Sequence, residues 1–200
     1  NALWARFPVV SYGEDKYLKA VFERGVLKSK REGTAGREPN GTLVEFTPDS
    51  QIFGEYAYNM EFVEKRMRHY AYLNSGLSLD LNGQEFASEN GLLDLLKDET
   101  GDDVLYDAGY WRGDRIEFSF THSNNYGEEY FSFVNGQYTS DGGTHLSAFR
   151  EGFLKAVNEF FQSSYKGEDV REGLAAAVAV KLKNPMFESQ TKNKLGNGDI

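Results

Sequence analysis

The chain of 200 residues contains no cysteine, so it can form neither a disulfide nor a thiolate metal site, which fits a reducing compartment. It has no apolar run near the roughly 20 residues that cross a bilayer. Its N-terminus lacks the basic-then-apolar pattern of a secretory signal. It also lacks a surplus of base. The net charge of −9 would ordinarily speak against a polyanionic partner. Counted by segment, however, the excess of acid is local. Residues 1–80 hold eleven acidic and eleven basic side chains, residues 131–200 hold eight of each, and residues 81–130 hold twelve acids against three bases. The two balanced segments therefore stay open to nucleic acid. No Walker-type lysine follows a glycine-rich turn, and no serine sits in a nucleophile elbow. His69, His122 and His145 are dispersed, without the spacing of a zinc-binding helix.

What is present is a globular composition, 40% hydrophobic and 14% aromatic, enough for a real core. Pro8 to Tyr12 and Lys16 to Phe22 read as strands joined at Gly13-Glu14-Asp15. Residues 28–40 are polar and aperiodic and read as a loop; Gly41 to Phe46 alternates as a strand ended by Pro48-Asp49. From Asn59 to Asn74 the period becomes helical, with Phe62, Val63, Met67, Tyr70 and Ala71 on the apolar face, Asn59 as N-cap and Gly76 past the end. Leu77, Leu79 and Leu81 alternate before Asn82-Gly83, a strong hairpin signal. A short helix is predicted over 90–97, with KDETGDD (97–103) as the domain boundary. Strands follow at about 104–111, 115–121 and 129–135. A helix then opens after Asp141-Gly142-Gly143-Thr144, with Leu146, Phe149, Phe153, Val157 and Phe160 as its apolar stripe. Leu174 to Val180 (LAAAVAV) reads as a strand buried on both faces.

Few residues carry chemistry by spacing alone. Gly142-Gly143-Thr144 could cradle a phosphate at a helix N-terminus, or simply make a tight turn with a threonine cap. His145 reads as structural. Glu168/Glu172 and Asp102/Asp103 read as solvated acids, and Arg66 and Arg68 as a charged helix face. Lys192 lies in a polar loop (188–198) after the buried strand, where an ammonium can swing onto a phosphate or sit in solvent.

Several stretches carry a resemblance. GTLVEFTPD (41–49) resembles the end of the nucleotide pocket in GHKL-type ATPases of type IIA topoisomerases. RMRHYAYLNSGLSLDL (66–81), DGGTHLSAFR (141–150) and EDVREGLAAAVAVKLKNPMFESQTKNKLGN (168–197) resemble the B subunits of DNA gyrase and topoisomerase IV. With the opening NAL of Asn1 to Leu3, they cover nearly the whole chain in the family's order. The resemblance implies an α+β chain. Residues 1–97 would be the C-terminal part of a GHKL (Bergerat) ATPase α/β sandwich. Residues 98–200 would be a transducer domain of β-β-β-α-β order, ribosomal-protein-domain-2-like, whose βαβ crossover is left-handed against the general preference.

The same resemblance implies that Gln190 and Lys192 reach the γ-phosphate of ATP, Lys192 stabilising charge on the transferring phosphoryl group and Gln190 helping to position it. Thr42 and Val44 match positions near the adenine edge, where aminocoumarin-type inhibitors also bind in the family. Arg150 matches a basic position facing the cavity for transported DNA. ATP and Mg²⁺ are the implied cofactors, and DNA, a topoisomerase A subunit and a second B subunit the implied partners, in the cytoplasm and away from membranes. The family's catalytic glutamate, magnesium-binding asparagine, adenine-binding aspartate and glycine-rich lid find no match in these 200 residues. The chain starts without methionine and reads as an excised fragment, expected to be inactive alone. Trp4 stands where the family leads one to expect a small polar residue. Two other readings compete: the transducer part of a mismatch-repair or chaperone GHKL ATPase, and a non-enzymatic α/β interaction module. The Gln-Thr-Lys loop and the DGGTH turn favour the topoisomerase. FSFVNGQYTSDGG leans toward topoisomerase IV and EDVREGL toward gyrase.

Overall fold

Two-residue turns in the left-handed region set the first sheet. Glu14-Asp15 (φ 51° and 59°) joins β1 (Trp4–Gly13) to β2 (Lys16–Glu23), and Arg24-Gly25 (φ 45° and 83°) joins β2 to β3 (Val26–Thr34). The computed structural model describes residues 2–198, so Asn1 of the NAL opening lies outside the described residues. The sheet runs β3-β2-β1-β4, with β4 at Gly41–Val44, and β5 (Thr47–Pro48) also pairs with β1. The loop expected over 28–40 is thus in part a strand. All nine residues of β3 are exposed, so its pairing comes from the turn and the backbone and leaves no apolar period to read. Asp49 is buried, caps the short helix α1 (Ser50–Phe53) and binds the Arg24 guanidinium, which holds its carboxyl below the usual range with help from the Gln51 N–H. Trp4 packs on Phe46 at 4.6 Å between ring centroids, so the residue unexpected in sequence belongs to an aromatic cluster.

The chain divides into two compact units, Asn1–Asn59 and Met60–Ile200. The boundary expected at 97/98 falls inside the second unit, because α2 (Met60–Leu73) and α3 (Leu92–Thr100) pack on its sheet. Between these helices lies the hairpin β6 (Leu79–Leu81) and β7 (Gln84–Phe86), turned at Asn82-Gly83 as its sequence indicates. The main sheet is built from β8 (Gly109–Arg112), β9 (Ile116–His122), β10 (Glu129–Val134), β11 (Gln137–Tyr138) and β12 (Leu174–Val180), in the order β11-β10-β12-β9-β8. β10 and β12 are parallel and joined through α4 (Thr144–Phe161) and α5 (Gly167–Arg171).

β12 is the centre of this unit. Its Ala175 and Ala177 pack with Tyr72, Leu92, Leu95, Leu96, Phe131 and Phe133 on one face; its Ala176 and Val178 pack with Phe149 on the other. Alternation by two on a doubly covered strand gives the continuous apolar run seen in the sequence. Two faces differ from expectation. On α2 the buried residues are His69, Ala71 and Tyr72, all in its last turns, where His69 packs on Phe133 and Tyr138 of the sheet, while Phe62, two turns earlier on the same stripe as His69, is 72% exposed. On α4 the apolar stripe is buried at Phe149 but Phe160 is 81% exposed. No described helix is long and apolar enough to cross a membrane. Phe133, fully buried against His69 and Tyr138, gives a first prediction. Phe133→Ala is expected to cost about 3–5 kcal/mol of second-unit stability in urea unfolding. A loss under about 1 kcal/mol would contradict this packing.

Candidate functional site

The loop that carries Gln190 and Lys192 is a pinned hairpin. β12 leaves the sheet at Val180, and the chain is caught at once: the Leu182 N–H donates to Asn135 Oδ1 (2.8 Å) and the Asn135 amide returns a bond to Leu182 O (2.9 Å). Two arms then pair. The Glu188 N–H donates to Lys194 O (3.0 Å), the Gly196 N–H donates to Met186 O (2.8 Å), and Phe187 bridges antiparallel to Leu195. Ser189-Gln190-Thr191-Lys192 is the turn, closed by the Lys192 N–H on Ser189 O at 3.1 Å, with Lys192 at φ 60°. Gln190 and Lys192 are therefore brought together, exposed, on one four-residue tip. Leu195, in a segment read from sequence as polar, is 1% exposed and packs with Val134, Val180 and Phe187.

No salt bridge engages Lys192 among the described residues, whereas Lys194 beside it pairs with Glu188 at 3.0 Å. Lys192 borders a cleft of about 720 Å³ that is also lined by Arg112, Arg115 and Lys181, opposed by Asp114 and Glu117. Four cations against two acids make this cleft locally positive in a chain of net charge −9. Such a rim attracts phosphate oxygens. The three flanking cations gave no signal in the sequence, since topology alone gathers them. An apolar cavity of about 1010 Å³ between α4 and the sheet, lined by residues such as Phe118, Phe120 and Phe153, contains none of the expected site residues.

The glycine-glycine-threonine turn does not present a free helix N-terminus. The Thr144 N–H donates to Leu195 O (3.1 Å), while the Leu146 and Ser147 N–H groups turn back to Gly143 O (both 3.1 Å). Nor is threonine the cap: Gly143 holds that position, and Thr144 Oγ1 is buried without a partner. His145 is buried. Its Nε2 lies 3.3 Å from Thr139 Oγ1, which donates to Ser132 O at 2.8 Å, and burial pushes its pKa down to about 4. His122 is bound by Tyr106 and by Val170 O, and among the described residues no three His, Cys, Asp or Glu side chains gather as metal ligands.

Thr42 and Val44 lie two apart on β4, facing the same way and exposed, in the first unit. They pair in register with Ser11 and Val9, and Thr42 Oγ1 contacts Ser11 Oγ at 3.4 Å. Arg150 sits on α4 and does not line the cleft that Lys192 borders. Its Nη2 donates to Glu128 at 2.7 Å, its guanidinium lies 5.5 Å from the Tyr130 ring centroid, and Arg171 holds the same carboxylate at 3.1 Å. Burial opposes ionisation of Glu128, but hydrogen bonds from Arg150, Tyr130 and Arg171 outweigh it and keep its pKa low. Two guanidiniums on one carboxylate leave a surplus positive charge, and the Arg150 side chain keeps 41% of its surface in solvent.

The sequence model of the DNA gyrase B family matches residues 84–200. The B subunit of DNA topoisomerase 4 from Borreliella burgdorferi is 53% identical over 198 residues, covering 98% of this chain and 33% of that protein. The B subunit of DNA gyrase from Thermotoga maritima is 32% identical over 227 residues, covering 100% of this chain and 36% of that protein. The chain thus spans about a third of the length of these curated relatives. Among solved structures, the 43K ATPase domain of Thermus thermophilus gyrase B in complex with an aminocoumarin is similar at a TM-score of 0.78 and 33% identity, over 98% of this chain and 59% of that one. The B-subunit of the DNA gyrase from Myxococcus xanthus gives a TM-score of 0.81 at 20% identity, over 98% and 63%, and bears on the fold alone.

Proposed function

The chain belongs to the DNA gyrase B family, the B subunits of type IIA DNA topoisomerases, and from that premise we propose that it senses the γ-phosphate of ATP and relays it toward the DNA gate. In this reading residues 1–97 are the end of the GHKL ATPase domain and residues 98–200 the transducer. The parent protein is an ATP-hydrolysing topoisomerase that acts in the cytoplasm on DNA with an A subunit, two B subunits dimerising around a captured segment. One observation carries the proposal: Lys192, without an ion pair among the described residues, stands at the tip of a pinned hairpin on a positive cleft.

The donor set fits a triphosphate. A compact ammonium and an amide two positions apart on one turn suit a phosphoryl group and its bridging oxygens. ATP, when bound, supplies the phosphoryl group that is transferred to water. Lys192 would stabilise the charge on that group, and Gln190 would orient it. Thr42 and Val44 would border the adenine, a methyl and a hydroxyl face at the open edge of the first sheet. Magnesium is assigned no ligand among the described residues and enters no step here. Arg150, held in place by Glu128, would offer its solvent-facing side to a DNA phosphate as a sequence-independent contact. The test is ATP hydrolysis and ATP-dependent dimerisation of a full-length B subunit carrying Lys192→Ala. The non-enzymatic reading requires that this change do nothing.

A further inference from the structure

Lys192 is a long flexible side chain on an exposed turn, so its aim depends on where the hairpin's base is held. A group misplaced by about 1 Å can lose on the order of a hundredfold in rate. The structure shows two clamps on that base. On one arm, three backbone hydrogen bonds crowd into three residues: the Asp141 N–H to Asn193 O (3.0 Å), the Leu195 N–H to Gly142 O (3.1 Å) and the Thr144 N–H to Leu195 O (3.1 Å). They strap the arm to the turn that leads into α4, and only glycine permits it. A Cβ at Gly143 would lie 2.3 Å from Leu195 O and 2.5 Å from Leu195 N, both backbone atoms, at a φ of 130°. Two residues further along the same arm, the buried Asn197 amide reaches across to the other arm, accepting from the Met186 N–H at 2.7 Å and donating to Asn184 O at 3.2 Å. This closes the loop at its root. The burial of Leu195 stabilises the segment; the two clamps fix where its tip points.

We propose that Gly143 and Asn197 are positioning residues for Lys192, the first strapping the hairpin to α4 and the second closing its root. The inference rests on the reading of Lys192 as the γ-phosphate contact. Neither residue offers a group to the phosphate, so both act through the lysine. They are tested with Gly143→Ala and Asn197→Ala, first in the 200-residue chain by amide hydrogen exchange. Gly143→Ala should speed exchange at Leu195 and Thr144, and Asn197→Ala at Met186 and Gly196, each by about tenfold or more, with the β12 amides still protected. In the full-length B subunit both variants should then lower kcat for ATP hydrolysis on the order of 10- to 100-fold with KM for ATP kept. Unchanged loop exchange in both variants overturns the clamps. Loosened loops with unchanged kcat overturn the positioning role. A fall in kcat and KM together, tracking exchange across the whole second unit, would mean a merely structural role. Should Gly143→Ala fail to fold, Asn197→Ala, which removes only side-chain bonds, carries the test. If Lys192→Ala itself leaves hydrolysis intact, the functional reading fails while the exchange result still decides whether the clamps exist.

Discussion

Lys192→Ala in the full-length B subunit is expected to lower ATP hydrolysis about a hundredfold or more, the range for removing one preorganised transition-state donor, with nucleotide binding largely kept. A hundredfold corresponds to about 2.7 kcal/mol of transition-state stabilisation. That lies within the roughly 1.5–3 kcal/mol of a hydrogen bond to a charged group. The split between kcat and KM follows from when the contact matters: charge on the phosphoryl group grows in the transition state, so the loss falls on the chemical step. A contact of this size can also bias two arrangements of a rigid element and still be released when phosphate departs. Lys192→Arg should recover only part of the rate, because a planar fork does not replace a compact ammonium on a tight turn. Wild-type hydrolysis in Lys192→Ala would mean the hairpin tip never meets the phosphate, and the interaction-module reading would take over.

The second large effect is on stability and pH. His69 and His145 are both buried and both pushed from 6.5 to about 4; for His69 burial acts first and Lys65 and Arg66 add to it, and for His145 burial alone acts. A folded-state pKa below the unfolded value means that the unfolded chain binds more protons as pH falls. The fold is therefore undisturbed by these groups above about pH 6.5 and loses stability from there down to about pH 4. Each unit of separation is worth roughly 1.4 kcal/mol per group at the acid limit, so the pair together removes on the order of several kcal/mol. Urea unfolding of the second unit, followed through Trp111 in a Trp4→Phe background, should show the midpoint falling between pH 7 and pH 4.5. The ring protons of both histidines should not titrate near 6.5 by NMR. A normal titration of either ring would show that it reaches water, against the packing of His69 on Phe133 and of His145 beside Thr139. The low carboxylates of the second unit, Asp94 and Glu128, act in the same direction from about their ordinary values of 3.8 and 4.5 downward, so they overlap only the acid end of the histidine window.

The elements that were legible in the sequence share one property: local chemistry dictates them. Asn82-Gly83 turns the β6–β7 hairpin because both residues accept positive φ, at 55° and 88°. LAAAVAV reads as a doubly buried strand because helices on both sides leave no solvent face. α4 begins at Thr144, after the double glycine, as its pattern indicates. What was misread depends on partners distant in sequence. β3 is invisible because an exposed edge strand selects no apolar residue. That α2 is buried at His69 and exposed at Phe62, two turns earlier on the same stripe, depends on where Phe133 and Tyr138 lie.

By itself, the sequence determined the absence of disulfides, the local excess of acid, most of the strands and helices, and a resemblance strong enough to single out Gln190, Lys192, Thr42, Val44 and Arg150. Those facts are carried by composition, by periods of two and 3.6, and by ordered motifs, all of which are properties of the chain as a string. Only the tertiary structure decided that α2 and α3 belong with the second sheet, that Arg150 shares Glu128 with Arg171, and that Arg112, Arg115 and Lys181 gather beside Lys192. It also decided why Gly143 has no room for a side chain. Gly143 and Leu195 are far apart in the chain, and the need for a missing Cβ exists only once the hairpin lies 2.3 Å from where that atom would be.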